Sequence, residues 1–446
     1  MEAGSRVLWR RYLALLFLIL LPFCSALSSR SARDAEEAPT TSYAGAQLLR
    51  VNASTPEQKD AIRRLEESGD VDLWSGIVSH KKTVDVMVKS DKVQDVKQKL
   101  RKIRAEYAIV INNLQDAIQK ENPVLSEAEM LLLEGRKGHR MTWHSYHRVS
   151  DMHGYMDFLA QTYPRLCSVM TIGSSVEGRP LKVLKISPAG STGKKAIWID
   201  GGIHAREWIS PASVSFALKE LVENHDMHFN GKESTLGSLD WYFLPIANPD
   251  GYEHSHSQDR LWRKNRHDAH KGSCAGTDLN RNFGYRWGGA GSSRDPCREI
   301  YAGRNAFSEP ETAAISNFVK SKGQSVKAYI TFHSYGQYIL YPWGYDRKVP
   351  PDYRDLNSVG QKIAQAIRSV GGGSYTVGSS AATLYPASGG SDDWAKGSAR
   401  IKYTYTIELR DTGRYGFILP AEYIIPSGNE ALAALKVVGE AASQEP

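Results

Sequence analysis

The stretch AIWIDGGIHAREWIS, residues 196–210, decides the fold and points to the chemistry of the chain. The apolar run Ala196–Ile199 leads into two glycines, and open α/β sheets build their sites where a strand ends in such a turn. His204 and Glu207 follow the glycines, with Arg206 between them, and both can bind a metal ion. An H-x-x-E pair alone also fits a surface turn whose polar residues face water, so the rest of the chain must decide.

Strand and helix patterns alternate from Thr142 onward. The patterned segments are Ala196–Asp200, Pro211–Glu223, Trp241–Ile246, Glu309–Lys322, Val326–Phe332, Leu356–Ser369 and Ile401–Leu409. This alternation predicts an α/β domain with a mixed, mostly parallel central sheet and helices on both faces.

A smaller domain precedes this one. Its predicted strands are Ala46–Val51, Val71–Trp74, Thr83–Val88 and Ala108–Ile111, and its predicted helices are Pro56–Ser68 and Asp91–Tyr107. The resulting βαββαβ order predicts a small α+β domain of the ferredoxin-like type. We find no convincing catalytic cluster in it.

The N-terminus has the pattern of a secretion signal. Arg6, Arg10 and Arg11 precede the apolar run Tyr12–Phe23, and small residues up to Ala26 follow. Twelve apolar residues fall short of the roughly 20 that a membrane-spanning helix needs. We therefore predict a signal peptide at residues 1–26 and a secreted, extracellular protein without a membrane anchor.

The net charge and the cysteines narrow the class further. The formal net charge of +7 makes the chain only mildly basic. The sequence contains neither a basic cluster nor a nucleic-acid-reading motif, so we expect no nucleic-acid partner. In an oxidising compartment we expect a disulfide between Cys274 and Cys297, which lie 23 residues apart across a Gly/Ser-rich loop. Cys167 then remains as a buried free thiol beside a strand.

A basic segment separates the two domains. A helical run, Leu125–Glu134, leads into GRKGHR, residues 135–140, which we predict to be flexible. Such a segment is usually a solvated linker, but between a small domain and a large one it also resembles a trypsin-type activation site. The candidate cleavage residues are Arg136, Lys137 and Arg140.

Further candidate site residues lie at strand ends and in two loops. His333 ends an apolar strand and Glu408 lies near the end of another, although a satisfied sheet-edge histidine and an edge charge would look the same. The loops RLWRKN, residues 260–265, and DLNRN, residues 278–282, suit a carboxylate ligand or structural ion pairs.

Taken together, these motifs resemble the secreted A/B-type zinc metallocarboxypeptidases. The resemblance rests on GGIHAREW, Arg263, Asn280-Arg281, HSY at His333, LYPASGGSDDW from Leu384 and IELRDTGRYGF from Ile407, and it covers nearly the whole chain. It implies an activation domain at residues 27–140 and a catalytic domain at residues 141–446. It also implies a zymogen that a trypsin-like protease activates, and we expect a monomer.

The resemblance also implies a role for each matching residue. One zinc ion would be bound by His204, Glu207 and His333. Glu408 would be the general base, and Arg263 would stabilise the oxyanion. The C-terminal carboxylate of a peptide or protein substrate would be held by Asn280, Arg281 and Tyr385. Neighbouring subsites would be lined by Arg206, Ser334 and Tyr335.

One pocket residue predicts the specificity within this family. Asp392 follows the glycine pair Gly389-Gly390 at the position that faces the base of the side-chain pocket. An anion there favours C-terminal Lys or Arg, as in B-type enzymes, and the small Ser380 is compatible with this. Asp393 matches a residue of both types and is expected to be structural. A solvated turn carboxylate at Asp392 is the alternative.

Two other functions compete with this one. An A-type enzyme would prefer aromatic or aliphatic C-terminal residues. A non-catalytic binding protein on the same fold would be expected to have lost a zinc ligand or the general base, and all are present. A nuclease or phosphatase is disfavoured, because the arginine and asparagine set suits one carboxylate.

Overall fold

The computed structural model of the protein describes residues 40–77, 82–123, 125–188, 195–230, 235–268 and 274–446. The predicted signal peptide, residues 1–26, lies outside these ranges. Within them, no helix combines the length and the apolar character that crossing a membrane requires.

The small N-terminal domain has the predicted βαββαβ order. Its elements are β1 (Gln47–Asn52), α1 (Pro56–Glu67), β2 (Val71–Leu73), β3 (Thr83–Val88), α2 (Val93–Lys102) and β4 (Tyr107–Ile111). The four strands form one antiparallel sheet in the order β2-β3-β1-β4. Buried aliphatic side chains from this sheet and both helices form a separate core. The ferredoxin-like prediction is confirmed.

The second helix of this domain is shorter than predicted. It ends at Lys102 rather than at Tyr107. Arg104 adopts a left-handed backbone conformation with φ of 52°, which breaks the helical hydrogen-bond pattern. Tyr107 is instead needed in β4, where it pairs with Val51. Sheet pairing therefore overrides the amphipathic pattern at this end.

Two helices connect the domains: α3 (Leu114–Glu121), which was not predicted, and α4 (Glu127–Lys137). Ser126 and Glu129 form a reciprocal capping box at the start of α4, and Gly138 ends it with φ of 76°. The prediction of a flexible segment from residue 135 is thus wrong for its first half, because the capped helix extends through Lys137. Arg140 follows the helix and forms an ion pair with Glu134 at 2.8 Å.

The large domain alternates strands and helices. Its elements are α5 (Val149–Thr162), β5 (Cys167–Ser174), β6 (Pro180–Ile186), β7 (Lys195–Asp200), α6 (Ile209–Glu223), α7 (His225–Phe229), β8 (Leu239–Leu244), α8 (Pro249–Ser257), α9 (Pro310–Ser321), β9 (Val326–Ser334), β10 (Tyr338–Tyr341), α10 (Tyr353–Ser369), β11 (Thr376–Ser379), α11 (Ser380–Thr383), α12 (Ser391–Gly397), β12 (Tyr403–Leu409) and α13 (Ile424–Gln444). Every segment predicted here is present, with ends shifted by a few residues.

The eight strands of this domain form one mixed sheet in the order β11-β10-β12-β9-β7-β8-β6-β5. The pairs β10–β11, β12–β9, β9–β7 and β7–β8 are parallel, and the other three are antiparallel. The parallel strands at the centre bring their carboxyl ends to a common edge. The predicted mixed, mostly parallel sheet is confirmed.

Helices cover both faces of the large sheet. On one face, Ile199 and Ile330 pack with helices that include α6, α10 and α13. On the other, Trp198 and Tyr329 pack with α9 and α12. This alternation along the strands is the period of two that places successive side chains on opposite faces.

The cysteines are arranged as predicted. Cys274 and Cys297 form a disulfide. Cys167 is a buried free thiol at the first residue of β5. Burial raises its pKa to about 12, so it is a poor nucleophile at neutral pH.

Candidate active site

Three strand ends of the large sheet converge on one site. The turn after β7 carries His204 and Glu207, β9 carries His333 near its end, and β12 carries Glu408. Glu408 and His333 occupy the same register on adjacent parallel strands. The turn needs its glycines, since Gly202 has φ of 62° and a Cβ atom at residue 201 would approach a serine hydroxyl to 2.9 Å.

Two histidines and a glutamate form a compact cluster that could hold a metal ion. The Nδ1 atoms of His204 and His333 are 3.2 Å apart. Oxygens of the Glu207 carboxylate lie 2.8 Å from Nδ1 of His204 and 3.1 Å from Nδ1 of His333. All three residues are at most 4% exposed. Two imidazole nitrogens and one carboxylate are the donor set of catalytic zinc sites, so these residues fit zinc.

A carboxylate that sequence reasoning missed supports this cluster. Asp278 is fully buried, and its Oδ1 lies 3.1 Å from Nε2 of His204. Its Oδ2 accepts two hydrogen bonds from Arg263, at 2.9 and 3.2 Å. Burial would raise the pKa of Asp278, but Arg263 and His204 together hold it well below its ordinary value. The signal available in the sequence was an acidic residue directly before the Leu-Asn-Arg run.

Glu408 lies beside the cluster on the floor of the cleft. Burial raises the pKa of its carboxyl to about 7; the positive charge of His333 opposes this shift and the carboxylate of Glu207 adds to it. A carboxyl group with a pKa near the working pH is suited to take up and release a proton.

All predicted site residues line one cleft of about 1100 Å³. These residues are His204, Arg206, Glu207, Arg263, Asn280, Arg281, His333, Ser334, Tyr335, Tyr385, Asp392 and Glu408. The structure therefore brings together side chains that span more than 200 positions of the sequence.

Two of these residues are held by the loops around the cleft. The Arg281 guanidinium donates hydrogen bonds of 2.8 Å to the carbonyl oxygens of Gly291 and of Asn280. The Asn280 side-chain oxygen accepts a 2.9 Å hydrogen bond from the Ser391 amide at the start of α12. The second arginine loop thus also fixes the helix that carries Asp392.

The two neighbouring aspartates of α12 have different environments. Asp392 is 6% exposed and lines the cleft; its carboxylate accepts a 3.4 Å hydrogen bond from Ser380. Burial raises the pKa of Asp392. Asp393 accepts 2.8 Å hydrogen bonds from the amides of Gly344 and Tyr345 and is fully buried, so its structural role is confirmed.

The small domain closes the same cleft. Asp72 accepts a 2.6 Å hydrogen bond from Arg206, and Asp85 accepts a 3.0 Å hydrogen bond from the Tyr335 hydroxyl. Gly76 lies so close to Tyr385 that an added Cβ atom would be 2.0 Å from its ring. Three predicted substrate-binding residues are therefore engaged by the small domain.

Comparisons with known proteins agree with this geometry. Residues 152–434 match the family described as zinc carboxypeptidase, and residues 49–121 match the carboxypeptidase activation peptide. A carboxypeptidase B of Astacus astacus is 45% identical over 301 residues, covering 67% of this chain and 97% of that protein. Carboxypeptidase A1 of Bos taurus is 39% identical over 402 residues, covering 89% and 94%.

Solved structures extend the likeness to both domains. Thrombin activatable fibrinolysis inhibitor has a TM-score of 0.77 at 35% identity, covering 90% of this chain and 99% of that chain. Carboxypeptidase A from Helicoverpa armigera has a TM-score of 0.78 at 30% identity, covering 90% and 98%.

Proposed function

The chain belongs to the zinc carboxypeptidase family, and on that premise we propose that it is secreted and that its mature enzyme prefers C-terminal Lys or Arg. It is a zymogen, since it carries a carboxypeptidase activation peptide, and proteolytic cleavage activates it toward peptide substrates. The observation that carries the basic preference is the buried carboxylate of Asp392 in the cleft.

We assign the zinc ligands to His204, Glu207 and His333, because their donor atoms lie within 4.8 Å of one another. Zinc, when bound, would polarise the scissile carbonyl and lower the pKa of a water molecule toward roughly 7. Glu207 brings one negative charge and the two imidazoles are neutral ligands, which leaves the site electrophilic.

Glu408 acts as the general base in this proposal. It lies next to His333 in the sheet register, and burial keeps the pKa of its carboxyl close to neutral pH. It takes a proton from the attacking water and delivers that proton to the leaving amine. Both transfers involve one carboxylate that faces the cleft, so no second acid is required.

Cationic and polar side chains of the cleft stabilise two negative charges, one on the carbonyl oxygen that is attacked and one on the terminal carboxylate. Arg263, oriented by Asp278, stabilises the charge that develops on the carbonyl oxygen. Asn280, Arg281 and Tyr385 bind the terminal carboxylate, which restricts cleavage to the last residue. Arg206, Ser334 and Tyr335 line the subsites for preceding residues.

Asp392 then selects the side chain of the residue that is removed. A cationic side chain would form a charge-assisted hydrogen bond with this carboxylate, which is worth about 1.5–3 kcal/mol. A phenylalanine side chain would leave the carboxylate buried without a cationic partner, which is unfavourable. Relatives of both the A and the B type resemble this chain, so aromatic or aliphatic preference is the alternative.

A matched pair of blocked dipeptides that end in Arg and in Phe tests the proposal. We expect kcat/KM of the trypsin-treated enzyme to be at least about tenfold higher for the Arg substrate. A higher value for the Phe substrate would contradict the basic preference while leaving the family assignment intact. No turnover of either peptide by zinc-loaded enzyme would contradict the catalytic proposal itself.

Activation is assigned to a trypsin-like protease that cuts at Arg136, Lys137 or Arg140. Arg136 and Lys137 are exposed, and Met141, which is 2% exposed, packs into the core of the large domain. In this proposal the activation domain ends at residue 140, the enzyme begins at residue 141 and is a monomer, and the signal peptide ends near residue 26.

A further inference from the structure

The two proposed histidine ligands differ in what lies behind them. Both present Nδ1 to the site, so each must carry its proton on Nε2 when it binds a metal. Behind His204, the carboxylate of Asp278 lies 3.1 Å from Nε2. Behind His333, the nearest polar partner of Nε2 is the Thr331 hydroxyl, at 3.3 Å. A hydroxyl that accepts from His333 still has a proton to donate.

Asp200 provides an acceptor for that proton. It pairs in register with Thr331 on the adjacent parallel strand, and both residues are fully buried. Residues in register on adjacent strands lie on the same face of a sheet, here the face that α12 covers. Burial raises the pKa of the Asp200 carboxyl, and the Thr331 hydroxyl, the Trp198 indole and the Tyr329 hydroxyl lie close enough to oppose that rise.

The Asp200 carboxylate is only half satisfied. Its Oδ2 accepts a 2.6 Å hydrogen bond from the Trp198 indole. Its Oδ1 has no hydrogen-bond partner among the described residues, and no lysine or arginine of those residues is paired with it. An incompletely paired buried carboxylate is costly, and positive charge at the neighbouring His333 site would offset that cost.

We infer that Asp200, acting through Thr331, positions His333 for metal binding. When a metal is bound, His333 donates its Nε2 proton to the Thr331 hydroxyl, and the Thr331 hydroxyl turns its own proton toward the Asp200 carboxylate. Each histidine ligand is thus backed by a carboxylate, directly by Asp278 in one case and through a hydroxyl in the other. This inference rests on the proposed function, because it takes the metal ligands from it.

Thr331→Val tests the relay with almost no change in side-chain volume. In the full-length protein we expect the zinc dissociation constant, measured by competition with a chelator, to rise about 10–100-fold, the usual effect of losing such a partner. Thr331→Ser restores the hydroxyl and should stay within about threefold of wild type. Asp200→Asn, which keeps an acceptor for Trp198, should weaken zinc binding as Thr331→Val does.

Two further variants separate this relay from a general packing effect. Thr404→Val, on the neighbouring strand β12, removes a fully buried hydroxyl that has no hydrogen-bond partner among the described residues. It should leave the zinc dissociation constant unchanged. The double variant of Asp200→Asn and Thr331→Val should bind zinc no more weakly than the weaker single variant, because both interrupt one chain.

The possible outcomes distinguish the relay from the metal site itself. If Thr331→Val and Asp200→Asn both bind zinc as tightly as wild type, the relay is wrong. The same conclusion follows if Thr331→Ser is as weak as Thr331→Val, or if the two losses are additive. If the wild-type protein binds no stoichiometric zinc, or Glu207→Gln binds it equally well, the proposed metal site is wrong instead.

Discussion

The two sheets of the molecule contribute to one cleft in different ways. The eight-stranded sheet provides His333 and Glu408 at the ends of central strands, where backbone register fixes them. The four-stranded sheet provides Asp72 and Asp85, whose side chains reach across to Arg206 and to a tyrosine hydroxyl. The proposed catalytic residues thus lie in a core, whereas the residues from the small domain lie at an interface. We expect each set to be perturbed separately by substitution.

Glu207→Gln should have the largest effect of these variants, because it alters the metal site in the core of the large domain. A neutral amide is a poorer zinc ligand, and loss of zinc removes several kcal/mol of transition-state stabilisation, so we expect activity to fall by at least about 100-fold. Zinc content by atomic absorption and hydrolysis of a blocked dipeptide measure the effect. Glu311→Gln, at a fully buried glutamate on α9, is the matched control and should keep zinc. Full activity of Glu207→Gln would show that the ligand is misassigned.

Asp392→Ile should change the preferred C-terminal residue of the substrate and leave the zinc content unchanged. Losing a charge-assisted partner worth 1.5–3 kcal/mol should lower kcat/KM for an Arg-ended peptide by about 10–150-fold. The Phe-ended peptide should become the better substrate, because the variant has no carboxylate at this position that would lie buried beside the ring without a cationic partner.

The paired measurement is kcat/KM on both peptides together with zinc content. Ser380→Ala, which removes only a 3.4 Å hydrogen bond to Asp392, should keep the preference for Arg. An unchanged preference in Asp392→Ile would place this carboxylate outside the substrate's reach.

Asp72→Asn should weaken the contact between the small domain and the cleft of the large domain. Arg206 is 3% exposed, and removing the charge of Asp72 takes away its 2.6 Å ion-pair partner and leaves Glu299 as a remaining nearby anion, which disfavours the closed zymogen. We expect the uncleaved protein to hydrolyse small peptides about tenfold faster than the wild-type zymogen, because the partly exposed Asp72 limits the penalty.

Glu66→Gln is the matched control for this variant. Glu66 also pairs across the interface, with Arg298 at 3.4 Å, but both side chains are about a quarter exposed. Exposed pairs contribute little, so the change in zymogen activity should stay below about threefold. If Asp72→Asn and Glu66→Gln raised zymogen activity equally, burial of the ion pair would not determine how much each contact contributes.

Arg140→Gln should have the smallest effect, on the rate of activation by trypsin. Arg136 and Lys137 lie in the last turn of α4, whereas Arg140 follows it. A protease needs extended chain, so cleavage within the helix requires that turn to fray, and we expect activation to slow about fivefold. N-terminal sequencing of the wild-type product should begin at Met141. Lys137→Gln should leave the activation rate unchanged. Slower activation of Lys137→Gln than of Arg140→Gln would contradict cleavage at Arg140.

The sequence predicted the large domain more fully than the interface. Apolar runs with a period of two and glycine turns are local signals, so β7, β9 and β12 and the residues at their ends could be found from the chain alone. Asp392 and Asp393 were distinguished by resemblance to a family, and the hydrogen bonds of Asp393 to two backbone amides agree.

Long-range contacts could not be predicted in this way. Asp278, Asp200 and Thr331 look like ordinary loop and strand residues until the fold places them behind the histidines. The end of α2 was misplaced because pairing of Tyr107 with Val51 depends on a strand more than 50 residues away. The contact between Asp72 and Arg206 depends on how two domains dock, which no local pattern encodes.

Cleavage at Arg140, as proposed, would not by itself remove the side chains that form the interdomain contacts. Before the cut, the covalent connection holds the activation domain at an effective concentration on the order of millimolar. After the cut, the same surfaces meet as two separate molecules, and the fraction of blocked enzyme depends on total protein concentration. A concentrated sample would therefore stay inhibited after complete cleavage, and dilution alone would release activity. On this account the four-stranded sheet that closes the cleft would act after cleavage as a reversible inhibitor, and the fraction of blocked enzyme would depend on protein concentration.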